Sequence, residues 1–386
     1  MATRFDTIPR AGLFTEEHEE LRRVVRQFVD REIRPHVEEW ERAGDFPFRD
    51  LFRQAGTIGL FGAKYEGPYG GTGPDLVADA VITEELAGCG SGGVAAALGA
   101  HKDLGPYYVY RFGSKEQRQR WLSPAVAGEV IGALAVTEPG AGSDVAAIET
   151  RAGRTPSGLA LTGTKTFITN GPIADFVVVA AKTDPDAGRR GISLFVVEGG
   201  TPGFAVRRLD TVGWRTSHTG ELAFDQAPAD LLGEEGRGFE HLMSNFQWER
   251  LVMALAAVAA AERTLKQAIA YGRERHAFGR PIAKFQVWRH RFADLATEIE
   301  AARSLTYHAL RRLVAGEDAR REVSMAKWFA TELDWVVADE ALQIHGGYGY
   351  MMEFPVQRAW RDSRLGPIGG GTTEMMKEIV GRSYGL

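Results

Sequence analysis

The sequence predicts an α+β protein that is mostly α, with an N-terminal helical domain (residues 1–130), a middle antiparallel β-domain (131–236) and a C-terminal helical domain (237–386). Three observations predict this order. The spacing of apolar residues is helical in the first and last zones, and it is strand-like between them. Neither an internal repeat nor a low-complexity linker separates the zones, so we expect the domains to pack around a shared site.

The first zone opens with a helix. Thr15 is suited to cap it, because Glu16 and Glu17 follow as acids in the first turn. A glycine-rich turn at residues 66–73 precedes a second helical stretch. Apolar residues mark the buried face of the first helix at Leu21, Val25, Phe28, Val29 and Ile33.

The middle zone consists of short apolar runs between Gly, Pro, Asp and Asn breaks, a pattern typical of strands. Because no helical pattern lies between the runs, we expect antiparallel pairing and no β-α-β unit. The runs lie at residues 159–162, 176–180, 192–197 and 222–224.

The last zone is helical again. A long helix is expected to begin near Glu249 and to end near Arg273. Its apolar face carries Leu251, Leu255, Val258, Leu265 and Ile269, and a second helix is marked by Phe292, Leu295, Ile299, Ala302 and Leu305.

The composition excludes several classes of function. A net charge of −5 leaves no basic footprint for nucleic acid. No apolar run reaches the roughly 18 residues that cross a bilayer, and residues 1–6 do not start a secretory signal. The single cysteine, Cys89, excludes an internal disulfide. Only nine of the 46 basic residues are lysines, which favours a bacterial, cytoplasmic protein.

Two segments suggest a polar, flat ligand. Residues 135–144 (AVTEPGAGSD) permit close backbone approach and offer the hydroxyls of Thr137 and Ser143, although such a segment alone is more often an ordinary turn. Residues 164–171 (TKTFITNG) place Phe167 and Thr169 on one side of an extended strand, which suits a heteroaromatic ring. A plain strand that ends in an Asn-Gly turn is the alternative.

Two further segments lie in the last zone. Residues 273–282 (RERHAFGRPI) place cations at a helix C-terminus, where they either stabilise the helix or bind a pyrophosphate. Residues 343–350 (QIHGGYGY) bring three glycines together, as close packing against a ligand or another chain requires. His345 has no second ligand at metal-site spacing, so we expect no metal.

In this order and at these spacings, the four segments resemble the acyl-CoA dehydrogenase family over about residues 14–385. The resemblance is nearest to the long-chain and isovaleryl-type members, in which the catalytic glutamate is relocated. It implies a helical N-terminal domain, a middle β-domain and a C-terminal four-helix bundle. It also implies non-covalent FAD that is shared between the chains of a homo-oligomer, normally a homotetramer.

The resemblance assigns roles to individual residues. Thr137, Ser143, Phe167 and Thr169 are implied to line the flavin, and Ser143 and Arg250 to contact the substrate. Thr372 and Glu374 are implied to approach the same cofactor. The adenosine and pyrophosphate end is implied to be held, partly from a neighbouring subunit, by Arg275, Phe278, Gln286, Gln343, Gly346 and Gly347.

The implied chemistry needs a general base that removes the α-proton of a thioester while a hydride leaves the β-carbon. Many members of the family carry that glutamate where this chain has Gly370. Glu249 matches the base of the long-chain and isovaleryl subgroup, although a glutamate before Arg250 in a helix would by itself be typical of an exposed residue. Gly370 is expected to keep the backbone N–H that polarises the thioester oxygen.

The expected activity is FAD-dependent α,β-dehydrogenation of a saturated acyl-CoA to the trans-2-enoyl-CoA, as in fatty acid β-oxidation, with electrons passed to an electron-transfer flavoprotein. Small residues at 87–100 either leave room for a medium, long or branched acyl chain or only permit close helix packing. The alternatives are an acyl group tethered to a carrier protein, an oxygen-reactive oxidase, and a non-catalytic acyl-CoA-binding protein.

Overall fold

A computed structural model describes residues 12–156 and 158–386 of the chain. Residues 1–6, for which the sequence predicts no secretory signal, lie outside this part. The elements follow one another as a helical zone, a sheet and a second helical zone, which confirms the predicted fold class.

The first zone is helical throughout. Thr15 caps the first helix as predicted, because its hydroxyl accepts a hydrogen bond from the His18 N–H at 3.4 Å. The predicted apolar face is buried at Val25 and Phe28 and continues through a π-helical turn at Val29–Ile33. The helices that the described residues form here are α1 (Glu16–Phe28), α2 (Val37–Ala43), α3 (Phe48–Thr57), α4 (Leu76–Ala87), α5 (Gly92–Asp103), α6 (Gly105–Phe112), α7 (Lys115–Gln117) and α8 (Ser123–Val126).

The middle zone is a twisted sheet in which all four predicted runs form strands. The long strands β3 and β7 pair along most of their length, and β4 pairs with β5. The strands are β1 (Gly132–Ala135), β2 (Arg151–Thr155), β3 (Gly158–Thr169), β4 (Phe176–Lys182), β5 (Ile192–Glu198), β6 (Phe204–Arg208) and β7 (Thr219–Leu232).

The prediction of a wholly antiparallel sheet is wrong at β1. This strand runs parallel to β4, with Gly132 opposite Phe176, and β2 meets β4 at one parallel pair. The remaining ladders of this sheet are antiparallel. Because β2 and β3 come between β1 and β4 in the chain, the connection is long enough for the crossover that a parallel neighbour requires.

The last zone consists of long helices, and the first begins earlier than predicted. It starts at Gly238, so Glu249 lies inside the helix and not at its start. Its first turns contact the sheet and the first zone through Leu242 and Asn245. Because these turns are buried on several sides, their apolar residues do not form the one-sided pattern by which a helix is predicted from sequence. The elements are α9 (Gly238–Glu274), the short strands β8 (His276–Ala277) and β9 (Arg280–Pro281), α10 (Gln286–Val314), α11 (Arg320–His345), α12 (Pro355–Ser363) and α13 (Thr373–Ser383).

Helix α9 is the central element of the molecule. It packs against α10 and α11 of its own zone and against α4 of the first zone. One hydrophobic core therefore includes Ala80 of α4 together with Trp248 and Leu251 of α9. In the part of the chain that the structure describes, no helix is both long and apolar enough to span a membrane.

Candidate active site

Glu249 is partly buried and its Oε1 accepts two hydrogen bonds. Tyr108 Oη, from α6, donates at 2.9 Å, and Asn245 Nδ2, one turn earlier on α9, donates at 2.8 Å. Burial raises the pKa of Glu249 to about 7, the charge of Asp103 adds to this rise, and the two hydrogen bonds oppose it. A carboxyl group whose pKa lies near neutrality is suited to general acid–base chemistry.

A buried cluster of four charged side chains lies next to this site, and we call it the charge cluster. It consists of Lys64, Asp79, Lys102 and Asp103, all of them almost completely buried. Lys102 Nζ lies 2.6 Å from Asp79 Oδ1 and 2.9 Å from Asp103 Oδ2, and Lys64 pairs with both aspartates. The charges balance, which is the condition for burying them.

The charge cluster is connected to the helix turn that carries Glu249. Trp248 Nε1 donates to Asp103 Oδ1 at 2.9 Å, and Asn245 Nδ2 donates to the Asp103 carbonyl at 3.0 Å. Asn245 therefore bridges Asp103 and Glu249. The charge cluster therefore fixes this turn of α9 through Asp103. The carboxylate of Glu249 is held by residues of three helices, α5, α6 and α9.

Gly370 lies against α9 one turn beyond Glu249. A Cβ at position 370 would lie 2.5 Å from Met253 Sδ, and Met253 is on the same helix face as Glu249. Gly370 and Gly371 have φ angles of +62° and +95°, which favour glycine. The hydrogen bonds of the described residues leave the Gly370 N–H unused. The structure thus brings the two predicted catalytic positions to one face of α9.

Arg250 points toward the same loop. A Cβ at Gly371 would lie 3.7 Å from Arg250 Nε, and this nitrogen has no hydrogen-bond partner among the described residues. Burial lowers the pKa of Arg250. The buried guanidinium places positive potential beside the Gly370–Gly371 backbone.

The segments at 135–144 and 164–171 lie side by side. The Thr166 N–H donates to the Thr137 carbonyl at 2.9 Å, and Lys165 Nζ donates to Glu138 Oε1 at 2.7 Å. Lys165 is completely buried, and this burial lowers its pKa to about 8. The buried pair holds the glycine-rich segment in place, and Ser143 is exposed at its surface.

Phe167 lies at an irregularity of β3. Its φ is +61°, and the register against β7 shifts between Lys165 and Ile168. Regular alternation therefore does not relate Phe167 to Thr169, contrary to the prediction. The bulge turns Phe167 outward, so that its ring is 68% exposed, while Thr169 is partly buried at the end of the strand.

Helix α5 connects this strand end to Glu249. Asn170 Nδ2, next to Thr169, donates to the Ala97 carbonyl at 2.8 Å, and the other end of α5 carries Asp103. Between them the helix presents partly buried small residues, and a Cβ at Gly99 would meet no atom within 4 Å. An open strip of small residues thus lies on α5 between Ala97, which contacts Asn170, and Asp103, which Asn245 links to Glu249.

Arg275 and its neighbours lie at the opposite end of α9. At a rise of 1.5 Å per residue, Arg275 is about 39 Å from Glu249 along the helix axis. Phe278 is 95% exposed, and Gln286 and Gln343 are exposed at the ends of α10 and α11. An open groove of about 550 Å³ is lined here by Tyr271, Arg275, Ile282, Ile344, His345, Gly346, Gly347, Tyr348 and Met351.

The glycines after α11 form one wall of that groove. Gly346 has a φ of +58°, and a Cβ at Gly346 or Gly347 would meet no atom within 4 Å. His345 stacks on Tyr271 at a ring-centroid distance of 3.9 Å and shares a hydrogen bond with the Ala341 carbonyl, so its ring packs inside the fold. Across residues 12–156 and 158–386, no group of three His, Cys, Asp or Glu side chains is placed to hold a metal ion.

Thr372 and Glu374 follow the Gly370 loop at the start of α13. The Thr372 hydroxyl caps this helix by accepting from the Met375 N–H at 3.3 Å, and Glu374 is exposed in its first turn. They lie near the Glu249 end of α9 together with Gly370, and away from Arg275. The predicted residues of the last zone thus form two groups, one around Glu249 and one around Arg275, and the predicted flavin residues of the middle zone form a third.

The sequence reasoning missed the residues that support Glu249 and Gly370. Asn245 could have been found, because it lies one turn before Glu249 on the same helix face. No local sequence signal marks Tyr108, Met253 or Lys327. Tyr108 and Lys327 reach the site from α6 and α11, where they donate to Glu249 and to the Gly371 carbonyl. Met253 is identified only by its packing against Gly370.

Comparisons with known proteins agree with this architecture. Family profiles described as the acyl-CoA dehydrogenase N-terminal, middle and C-terminal domains match residues 15–129, 133–227 and 236–385. The mitochondrial long-chain specific acyl-CoA dehydrogenase of Mus musculus is 41% identical over 381 residues, which cover 96% of this chain and 87% of that protein.

Solved structures share the fold. An acyl-CoA dehydrogenase from Geobacillus kaustophilus matches with a TM-score of 0.93 and 44% identity, over 97% of this chain and 99% of that one. A chain from a structure of the electron transferring flavoprotein of Acidaminococcus fermentans matches with a TM-score of 0.92 and 37% identity, over 96% and 98% of the two chains. With its three domains matched in order over nearly its whole length, the chain belongs to the acyl-CoA dehydrogenase family of FAD-dependent enzymes.

Proposed function

We propose that the protein dehydrogenates the Cα–Cβ bond of a saturated acyl-CoA to give the trans-2-enoyl-CoA, with Glu249 as the general base. The observation that carries this proposal is the placement of Glu249 on the face of α9 against which Gly370 packs. Position 370 has no carboxylate, and Glu249 has a pKa of about 7 because it is buried.

The hydrogen bonds of Glu249 leave it ready to accept a proton. Tyr108 and Asn245 both donate to Oε1, so Oε2 stays available for the α-proton of the substrate. Proton transfer makes the carboxyl group neutral, and burial favours the neutral form. Above pH 7 most molecules carry the carboxylate that the reaction needs.

The thioester oxygen has its own partners in this site. Removal of the α-proton gives the thioester enolate character, and a donor that is already in place stabilises the developing charge. The unused N–H of Gly370 is suited to this role, and the buried guanidinium of Arg250 adds positive potential nearby. Glycine at 370 supplies the amide without adding a second acid.

The exposed aromatic and hydroxyl groups of the middle domain fit the FAD of this family. Phe167 offers an open ring face next to Thr169 and near Thr137 and Ser143, and an exposed aromatic of this size is suited to cover a flat ring system. When bound, FAD supplies the acceptor for the hydride that leaves the β-carbon. The residues of this chain orient the acyl group between that ring and Glu249.

The remaining FAD contacts require a second copy of the chain. Arg275 lies about 39 Å along α9 from Glu249, far outside the group of residues around that glutamate. The far group, with Phe278, Gln286, Gln343, Gly346 and Gly347, therefore binds the adenosine and pyrophosphate end of the FAD that serves a neighbouring chain. Such reciprocal sharing supports a homo-oligomer, a dimer or a dimer of dimers.

The substrate range follows from the open strip on α5. Because Gly99 has free space where a side chain would stand, the strip accommodates a medium, long or branched acyl chain next to Glu249. The electron acceptor is an electron-transfer flavoprotein. This assignment is supported by family membership and by the occurrence of the same fold in a structure of such a flavoprotein.

Anaerobic mixing of the FAD-loaded protein with saturated acyl-CoAs of different length tests the proposal. Flavin absorbance should bleach with C8 or longer or branched substrates, and Glu249→Gln should slow this step by at least about a thousandfold while FAD stays bound. Glu240→Gln, an exposed glutamate of the same helix, is the matched control.

Two results would contradict the proposal. Near-normal bleaching in Glu249→Gln would exclude Glu249 as the base. A wild-type flavin that stays oxidised with every acyl-CoA would exclude this substrate class. A preference for butyryl-CoA would refute the assignment of a long or branched acyl chain to the open strip on α5, but not the role of Glu249. Peroxide formed at the rate of turnover would show that oxygen, and not a flavoprotein, accepts the electrons.

A further inference from the structure

Lys327 is a buried lysine that the proposed chemistry does not use. It lies on α11 and its side chain has no exposed surface. Among the described residues no ion pair joins its ammonium group to a carboxylate, and the charges of Glu332 and Glu374 act on it only from farther away. Instead, Nζ donates to the Gly366 carbonyl at 2.7 Å and to the Gly371 carbonyl at 2.6 Å. Burial lowers the pKa of Lys327 to about 8, and the charge of Arg250 contributes.

The two carbonyls lie at the two ends of the loop that contains Gly370. This loop connects α12 to α13, and its glycines at 370 and 371 both have left-handed backbone angles. Glycine has the greatest conformational freedom of all residues, so consecutive glycines do not hold one backbone geometry by themselves. A single nitrogen that binds both loop ends removes that freedom.

The direction of the Gly370 N–H depends on this arrangement. Fixing the Gly366 and Gly371 carbonyls restricts the backbone dihedrals of the segment between them, and the peptide that carries the Gly370 N–H lies in that segment. Met253 on α9 packs on the other side of Gly370 and leaves no room for a Cβ there. Lys327 from α11 and Met253 from α9 therefore hold the loop from two sides.

We propose that Lys327 is a positioning residue for the dehydrogenation, because its two hydrogen bonds to the Gly370 loop aim the Gly370 N–H at the thioester oxygen of the substrate. This inference rests on the proposed function. It assigns to α11 a share in thioester polarisation, although Lys327 itself does not contact the reacting atoms. Its positive charge, together with that of Arg250, also stabilises the negative charge that develops at this oxygen.

The substitution Lys327→Met tests the inference, because methionine has a similar length and no N–H donor. We expect kcat for flavin reduction to fall at least about tenfold, since an oxyanion donor is worth about a hundredfold and the misplaced loop loses part of this. KM should change less than about threefold, because the acyl chain and the CoA are bound elsewhere. Lys377→Met removes an exposed lysine of α13 and is the matched control.

A spectroscopic measurement separates this role from a merely structural one. A bound para-dimethylaminocinnamoyl-CoA absorbs at longer wavelength when its thioester oxygen accepts a hydrogen bond, and the wild type should show this shift. Lys327→Met should bind the probe with most of the shift lost. Lys327→Gln, which keeps two N–H donors on a shorter side chain, should recover part of the shift and part of kcat.

The outcomes are distinguishable. If the wild type neither bleaches with acyl-CoA nor shifts the probe, the proposed function fails and the role of Lys327 fails with it. If the wild type does both and Lys327→Met equals it, only the role of Lys327 is overturned. Methionine leaves the Gly366 and Gly371 carbonyls without a donor, so Lys327→Met could lose FAD for a structural reason. In that case Lys327→Gln decides. If Lys327→Gln has the kcat and the probe spectrum of the wild type, the inference is overturned.

Discussion

The two ends of α9 differ in how much of a site a single chain provides. At the Glu249 end, side chains from α5, α6 and α9 fix one carboxylate through buried hydrogen bonds and the charge cluster. At the Arg275 end, Phe278 is almost fully exposed and Gly346 faces an open groove. Under the proposed function, the acid–base machinery is therefore complete within one chain, whereas cofactor binding depends on assembly.

This difference has an energetic basis. A buried carboxylate needs fixed donors and a fixed charge environment, because an unsatisfied buried charge costs several kcal/mol. The proposed FAD-binding surface at the Arg275 end has the opposite requirement, since it must stay open until the cofactor and, in the proposed oligomer, a second chain cover it. Exposed aromatic side chains such as Phe278 are suited to this, because covering one contributes about 2 kcal/mol.

The largest effect is expected from substitutions at the Arg275 end. The double variant Arg275→Ala/Phe278→Ala should weaken FAD binding by about a hundredfold, because it removes a charged hydrogen-bond donor and a large apolar contact. The thermal stability of the FAD-free protein should stay close to that of the wild type, since both side chains are exposed in the chain. Titration of the FAD-free protein with FAD measures the affinity, and Arg311→Ala on α10 is the control.

Mixing two inactive variants shows whether one FAD site uses the Glu249 end of one chain and the Arg275 end of another. Glu249→Gln keeps the Arg275 end intact, and Arg275→Ala/Phe278→Ala keeps Glu249. Mixed oligomers should regain flavin reduction, because one chain then supplies the base and its neighbour supplies the intact FAD surface. Recombination without any activity, in mixtures shown to contain both chains, would contradict the sharing of FAD.

At the Glu249 end, moving the carboxylate to position 370 tests whether its place in the site matters more than the residue that carries it. In the Glu249→Gln background, glutamate at 370 should restore little activity, since its Cβ would lie 2.5 Å from Met253 Sδ and the left-handed backbone costs about 1–2 kcal/mol. Adding Met253→Ala makes room for the side chain. Anaerobic flavin reduction should then recover at least about tenfold, a small part of what a general base contributes.

The control for this experiment is Glu249→Gln/Met253→Ala, which has the space and no carboxylate. If the triple variant holds FAD and still reduces it no faster than this control, a carboxylate at 370 does not reach the substrate. Gly370 and Glu249 would then not face the same reacting carbon.

Sequence patterns predicted the architecture because the apolar period differs between the zones. They failed where tertiary contacts decide the local structure. The start of α9 was missed because Leu242 and Asn245 contact other domains on several sides, which removes the one-sided apolar stripe of a surface helix. The direction of β1 was missed because a short buried strand reads the same in a parallel or an antiparallel ladder.

The candidate site shows the same limit. The four glycine-rich or polar segments are visible in the sequence, and the resemblance to the acyl-CoA dehydrogenase family that they carry singled out Glu249 and Gly370. The Tyr108 hydroxyl, which donates to Glu249, could not be singled out, since Tyr108 is 141 residues away in the chain. The charge cluster was also invisible, because its lysines and aspartates look like surface residues until the fold buries them.

The third and smallest expected effect concerns the pKa of Glu249. Its hydrogen bond from Tyr108 stabilises the carboxylate and so lowers the pKa, which burial has raised to about 7. Tyr108→Phe removes that bond, so the pKa should rise further and the limb of the pH profile that reports the base should move to higher pH. A hydrogen bond worth about 1 kcal/mol gives a shift of roughly 0.7 unit, and hence about threefold slower reduction at pH 7.

The measurement is the pH dependence of kcat/KM for flavin reduction, which reports the free enzyme. Well above pH 8, Tyr108→Phe and the wild type should converge, because Glu249 is then ionised in both. Tyr107→Phe is the matched control, since its hydroxyl accepts a hydrogen bond from Arg111 and does not reach Glu249. A midpoint that stays in place, or moves to lower pH, would mean that Tyr108 does not stabilise the carboxylate and that burial, the charge of Asp103 and the hydrogen bond from Asn245 set its pKa without it.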